Sequence, residues 1–413
     1  MKTEIKEIYA SEIIDSRGMP TVTVKTKLKG EFSGTASVPS GASTGKYEAH
    51  EKRDGDKNRF FGKGVLKAVK NVNEVIAPAV VGKALTQREL DAKICSLDKS
   101  ANKSDLGANA TLGTSLSFAH ATAHAHGMPL YKLIGGALNS KMPIPLMNII
   151  NGGAHASNNL DVQEFMIVPA GFNTFREALR AGCEVYHALK SLLGEKGLST
   201  SVGDEGGFAP NLSSVEEAIE LIIEAILRAG YDTDTVKIAL DIAASEWQEG
   251  EKYVLPKSGE VLSSSELIAK WDQLTQKYPI ISLEDPLGED DTDGWKLITE
   301  SLGSRVMLVG DDLFVTNPKI FEKHAENGIA NAILIKPNQI GTLTETLDVI
   351  ASAKERGYKI ILSHRSGETP DTTICDIAVG VGAQFIKAGA PCRGERIAKY
   401  NRLTEIEDEI YSL

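Results

Sequence analysis

Cysteine is scarce in this chain of 413 residues. Its four cysteines, Cys95, Cys183, Cys375 and Cys392, are scattered with no Cys-x-x-Cys pair, so neither a disulfide framework nor a thiolate zinc site is indicated. Positive charge is also short. Lys and Arg number 45 against 56 Asp and Glu, and a formal net charge of −11 argues against phosphate-backbone binding as the main business. Small anionic substrates stay open, because a bound divalent cation reverses the local sign of a site. No apolar run reaches membrane-spanning length, and Met1-Lys2-Thr3-Glu4 lacks the apolar core of a signal peptide, so the expectation is a cytoplasmic protein.

What is there is a globular composition, 42% hydrophobic and 24% charged, in a chain long enough for two domains. From Pro20 to Leu28, Val22, Val24 and Leu28 alternate with Thr23, Lys25 and Lys27, the pattern of a half-buried antiparallel strand, with flanking strands expected over 6–14 and 32–38. The small residues of Ser40-Gly-Ala-Ser-Thr-Gly45 form either a lid that approaches a ligand or a plain turn. Helices are expected over 64–80, after the Thr86/Glu89 capping box, and over 109–126. The last carries His120, His124 and His126, which without an accompanying acid read as packing or surface histidines. Past Gly127 the pattern turns to strict strand-helix alternation, which places a domain boundary near 127–140.

One stretch organises the rest. Ala332-Ile-Leu-Ile335 reads as a buried parallel strand and stops at Lys336, followed by Pro337, which cannot continue a ladder. A lysine at the carboxyl end of a barrel strand is a candidate base or cation; alone, it fits equally a side chain snorkelling from the rim. Five further apolar runs close on an ionisable residue: Asp241, Glu284, Asp311, His364 and Lys387. From Glu284 onward these closing residues are 27, 25, 28 and 23 positions apart, each a plausible length for one βα unit. Helix caps and rim charges account poorly for six in series, because Asp, Glu and Lys are poor strand residues and are rarely buried unpaired. The reading is a barrel whose active face carries three carboxylates, two lysines and a histidine.

Asp241, Glu284 and Asp311 are hard oxygen ligands that suit Mg²⁺. Lys336 and Lys387 follow the acidic strands and are expected on the neighbouring arc. A metal on one arc and a base on the other suit removal of a proton from carbon beside a carboxylate. A lysine takes that proton only where cations stabilise the dianion and depress its own pKa, so Lys336 is expected to rest unprotonated when Asp241, Glu284 and Asp311 are occupied by metal. Elimination also needs a general acid, for which Glu164 and Glu205 are available. His155, on a glycine-containing loop, either closes over a phosphate, relays a proton, or is an ordinary loop histidine.

Taken in order, Asp15-Ser-Arg-Gly-x-Pro20, Ser40-Gly-Ala-Ser-Thr-Gly45, Asn151-Gly-Gly-x-His155, Gln163-Glu-Phe-Met166, Gly203-Asp-Glu-Gly-Gly207, Ser282-x-Glu-Asp-Pro286, Gly310-Asp-Asp-Leu313, Lys336-Pro-Asn-Gln-Ile-Gly341, Ser363-His-Arg-Ser-Gly-Glu368 and Lys387-x-Gly-Ala-Pro391 resemble the glycolytic enolases over essentially the whole chain. The resemblance implies an N-terminal α+β domain over residues 1–135 and, over 136–413, a (β/α)8-type barrel of the variant ββαα(βα)6. It implies dehydration of 2-phospho-D-glycerate to phosphoenolpyruvate with two Mg²⁺ per site. Lys336 resembles the base and Glu205 the acid; Asp241, Glu284 and Asp311 resemble the ligands of the first metal, and Ser43 the lid residue that joins the second. Arg365 and Ser366 correspond to phosphate binders and Lys387 to a carboxylate contact, while His155, Gln163, Glu164 and His364 match further substrate positions. The resemblance also implies a homo-oligomer, dimer or octamer, with possible secondary partners in RNA-processing assemblies or at the cell surface. Ser157 stands where bacterial members are expected to carry an acid, and the three-histidine cluster is outside the shared pattern.

Overall fold

The computed structural model describes residues 2–41, 45–136 and 141–411. Strands β1 (Thr3–Ile14), β2 (Pro20–Leu28), β3 (Ser33–Ser37) and β4 (Ala84–Leu85) form an antiparallel sheet in the order β3-β2-β1-β4. The alternation along β2 buries Val22, Val24 and Leu28, as expected for a sheet with one face on a core. Against that face lie the helical segments Leu66–Lys70, Asn71–Ile76 and Ala77–Val80, the middle one wound as a π-helix, and helix α1 (Gln87–Leu97), whose Thr86/Glu89 capping box is formed.

Helix α2 (Ala108–Ala125) is buried almost all round because it is shared by two cores. Ala110, Phe118 and Ala121 face the sheet, while Leu112, Leu116, Ala119 and Ala123 join the core around the barrel. Small residues permit the approach: a Cβ on Gly34 of β3 would sit 2.2 Å from the backbone nitrogen of Ala121. The histidines of α2 pack rather than cluster. His120 Nε2 bonds Thr373 Oγ1 at 2.8 Å and His124 Nδ1 bonds the Ser33 carbonyl at 2.6 Å.

The barrel closes with β5 (Ile144–Asn151), β6 (Glu164–Val168), β7 (Lys237–Asp241), β8 (Ile280–Glu284), β9 (Met307–Gly310), β10 (Ala332–Ile335), β11 (Lys359–Ser363) and β12 (Phe385–Lys387), with β12 pairing back onto β5. β6 runs antiparallel to both neighbours, and the other pairings are parallel. The link from β5 to β6 holds no crossover helix, so the second strand returns beside the first; α3 (Phe175–Glu195) and α4 (Val215–Arg228) follow as a pair before β7. Six strand-helix units complete the ring, which gives the expected ββαα(βα)6 order. No helix among the described residues is long and apolar enough to cross a membrane.

Candidate active site

Alternation along the strands aims the closing residues inward. On β10, Ala332 and Leu334 belong to the apolar plug inside the barrel, and Ile333 and Ile335 to the layer outside it; Lys336 takes the parity of Leu334. The same count carries Asp241 on from Ala239, Asp311 from Val309, Lys387 from Phe385, and Glu164 back from Met166. These side chains stack above the plug at the carboxyl ends of the parallel strands. There they line one cavity together with His155, Gln163, Glu205, His364, Arg365 and Ser366. Glu284 joins them through Lys387. Ser43 lies outside the described residues, and Ser157 is exposed on the loop after His155.

Lys387 sits among carboxylates. Its Nζ lies 2.8 Å from Asp241 Oδ2, 2.9 and 3.0 Å from the two oxygens of Glu284, and 3.1 Å from Glu164 Oε2. Sequence order suggested separate arcs of acids and lysines. Closure of the ring instead puts β12 two strands from β6 and three from β7, so Lys387 reaches into the acidic arc. One ammonium serving three carboxylates does not neutralise them. Burial, then the Asp241 charge, holds Glu284 well above the usual carboxylate range, with Lys387 only partly opposing; the same acids hold Lys387 well above the usual lysine range against burial.

Lys336 pairs with one of the acids expected to hold the metal. Its Nζ is in close contact with Asp311 Oδ2. Burial disfavours the ammonium, but Asp311 and Glu284 outweigh it, so the lysine's pKa lies above its ordinary value rather than below. The Asp311 carboxylate thus favours the charged form of Lys336, whereas the unprotonated form expected from the sequence belongs to a site whose carboxylates hold a metal. Ligand oxygens of Asp285, Asp311 and Asp312 lie within 4.8 Å of one another.

A second cluster faces Lys336 from across the barrel. β6 is four strands from β10 in the ring of eight. His155 Nδ1 lies 3.3 Å from Glu164 Oε1 and 3.9 Å from Glu205 Oε1, and His364 Nε2 lies 3.5 Å from Glu205 Oε2. Burial disfavours the His155 imidazolium, but Glu205 and Glu164 outweigh it and raise its pKa to about 9. Burial, then Glu205, raises Glu164 to about 6. A histidine with a raised folded pKa contributes stability that is complete below its unfolded value and is lost as pH rises through the folded one. The His155 contribution is thus expected to be complete below 6.5 and to fade through about 9. An NMR titration should show the ring still charged at neutral pH; a midpoint at the ordinary histidine value would contradict the pairing.

Sequence reasoning passed over several residues that the structure brings in. Glu48 holds the Arg365 guanidinium at 3.0 and 3.3 Å and accepts from Gln339 Nε2 at 3.2 Å, while Gln339 also donates to Asp311 at 2.9 Å. Asn148 Nδ2 donates to Glu205 at 3.1 Å. Asp285 accepts the backbone N–H groups of Asp311 at 3.0 Å and Asp312 at 2.8 Å. The signal for Asp285 and Asp312 was present, since each follows a run-closing acid directly. Glu48 and Asn148 carried none, because their partners lie far along the chain.

The donor set at this mouth fits a hard divalent cation. It consists of buried carboxylates whose charge two ammonium groups only partly offset, and the two close clusters, Asp285/Asp311/Asp312 and His155/Glu164/Glu205, are groups that could hold a metal ion. Comparison with known families covers both halves of the molecule. Residues 5–134, containing the antiparallel sheet, match the family described as "Enolase, N-terminal domain", and residues 139–413, containing the barrel and all the ring residues, match "Enolase, C-terminal TIM barrel domain". Together the two matches span nearly the whole chain and support a lyase: the chain belongs to the enolase family.

Proposed function

We propose that the protein catalyses the reversible dehydration of 2-phospho-D-glycerate to phosphoenolpyruvate. The observation that carries this reading is the opposition of Lys336 to the Glu164/Glu205/His155 cluster across one polar cavity, with Arg365 and Lys387 also lining it. Lys336 Nζ takes the proton from C2. Glu205 gives a proton to the C3 hydroxyl, which leaves as water while the C2–H electron pair becomes the double bond; the reverse reaction retraces these transfers. Arg365 and Ser366 bind the phosphate and Lys387 the carboxylate, and His155, Gln163, Glu164 and His364 complete the substrate contacts. Asp241, Glu284 and Asp311 would hold one Mg²⁺, and Ser43 would join a second. When bound, Mg²⁺ supplies the positive charge that makes the C2 proton removable.

The same reading takes the chain as a cytoplasmic, homo-oligomeric glycolytic enzyme divided at residues 135 and 136. Adding 2-phosphoglycerate and Mg²⁺ to the purified protein should produce the ultraviolet absorbance of the conjugated enol phosphate, and a chelator should abolish it. Turnover of non-phosphorylated hydroxy acids, with none of the phosphoglycerate, would overturn the substrate assignment.

A further inference from the structure

Arg396, on the last helix, Gly394–Tyr411, is completely buried, and the reaction as proposed gives it no part. Its guanidinium joins two segments of the site. Nη1 donates to the Arg365 carbonyl at 2.7 Å and contacts His364 Nδ1 closely; Nη2 donates to the carbonyls of Ser366 at 2.7 Å and Asp204 at 3.1 Å. The Glu205 loop is thereby tied to the turn that carries His364, Arg365 and Ser366. Packing there leaves little freedom. A Cβ on Gly389, whose φ is +84°, would lie 2.9 Å from Arg396 Cδ, 2.8 Å from the Glu205 carbonyl and 3.2 Å from His364 Cε1.

A guanidinium has donors and no acceptor. The Nδ1 that it meets must offer a lone pair, so a neutral His364 ring carries its proton on Nε2, the atom 3.5 Å from Glu205 Oε2. The other tautomer, or the imidazolium, would set N–H against N–H. We propose that Arg396 is a positioning residue that holds His364 as the neutral Nε2–H tautomer, so that the ring points a donor at Glu205 and takes up no proton of its own. The charged groups facing the ring are Glu205, Arg396 and Lys387. Burial, with Arg396 and Lys387 adding to it and Glu205 opposing, pushes His364 down to about 3. The kinetic consequence, though not the tautomer, rests on Glu205 being the acid.

The test is a ¹⁵N spectrum of the full-length protein with labelled histidine, the His364 signals being assigned by their loss in His364→Asn. The expected result is one Nε2–H tautomer that does not titrate through neutral pH. An Nδ1–H ring, a mixture, or an imidazolium would overturn the proposal. In Arg396→Met the ring should lose its fixed tautomer and show a mixture of the Nδ1–H and Nε2–H forms. That variant should also lower kcat on the order of tenfold to a hundredfold, with KM changed less. Arg396→Lys, which keeps a cationic donor, should restore the single Nε2–H tautomer. An unchanged tautomer in Arg396→Met would overturn the role of Arg396. Should that variant not fold, the wild-type spectrum and Arg396→Lys decide. The spectra need no substrate, so a protein inactive on phosphoglycerate would fail the functional proposal without touching this one.

Discussion

Replacing Lys336 by alanine is expected to lower turnover on the order of 10⁴-fold while leaving the barrel folded, because a positioned general base contributes up to about that factor. The fold should survive since Lys336 follows the strand rather than packing inside it, and its backbone N–H bond to Thr316 Oγ1 at 2.9 Å does not depend on the side chain. Asp311 then loses its ammonium partner. The variant should therefore bind Mg²⁺ at least as tightly as the wild type, measured by calorimetric titration, since no internal cation competes for that carboxylate. Normal turnover in this variant would sink the assignment of the base. A second measurement concerns protonation. Lys336 rests above its ordinary pKa beside Asp311, so the basic ionisation in the pH profile should move downward as Mg²⁺ is raised; a midpoint indifferent to the metal would count against the coupling.

The largest expected loss of stability follows from Lys387→Met. Lys387 is the one cation bonded to Asp241 and Glu284 among the contacts of the described residues and also pairs with Glu164, and removing it leaves buried carboxylates facing one another. Breaking a buried pair by deleting one partner costs about 3–5 kcal/mol. In chelator the variant should unfold at a correspondingly lower urea concentration. Added Mg²⁺ should stabilise it more than it stabilises the wild type, because a bound cation replaces the missing charge and binds only the folded state. The pH dependence has a definite sign. A carboxyl whose folded pKa is raised, as Glu284 is, contributes stability below its unfolded pKa and loses it as pH rises through the folded one. In the variant this loss should begin near the unfolded carboxylate value of 4.5 and continue up to the raised folded one. In the wild type the Lys387 contribution is complete below the unfolded lysine value of 10.5 and fades as pH rises through the raised folded one. Equal stability of the two proteins in chelator would contradict this account of the site.

The barrel was legible because its signals are local. A run of apolar residues, a proline or glycine after it and a helical stripe behind it are set by neighbours in the chain, and the period-two count along β10 places Lys336 on the inner face. The N-terminal sheet was legible for the same reason, through the alternation on β2 and the capping box before α1. What escaped were contacts between distant segments. Glu48 and Arg365 meet across 317 positions, and Asn148 and Glu205 across 57. Arg396 lies outside every apolar run that closes on an ionisable residue. Its carbonyl partners leave no mark on side-chain pattern, since any residue type supplies a carbonyl.

By itself, the sequence determined which residues stand at the mouth of the barrel and that hard-cation and proton-transfer chemistry was within their reach, because residue identity and strand parity are properties of the chain alone. Only the tertiary structure decided which charge answers which. It set Lys387 among three carboxylates, Lys336 on Asp311, and a buried arginine behind His364. Protonation depends on those partners, since burial and the nearest charges set a buried group's pKa, and both follow from how the ring closes rather than from order along the chain. Lys336 is the plainest case: its place was readable in the sequence, and its partner Asp311 was not.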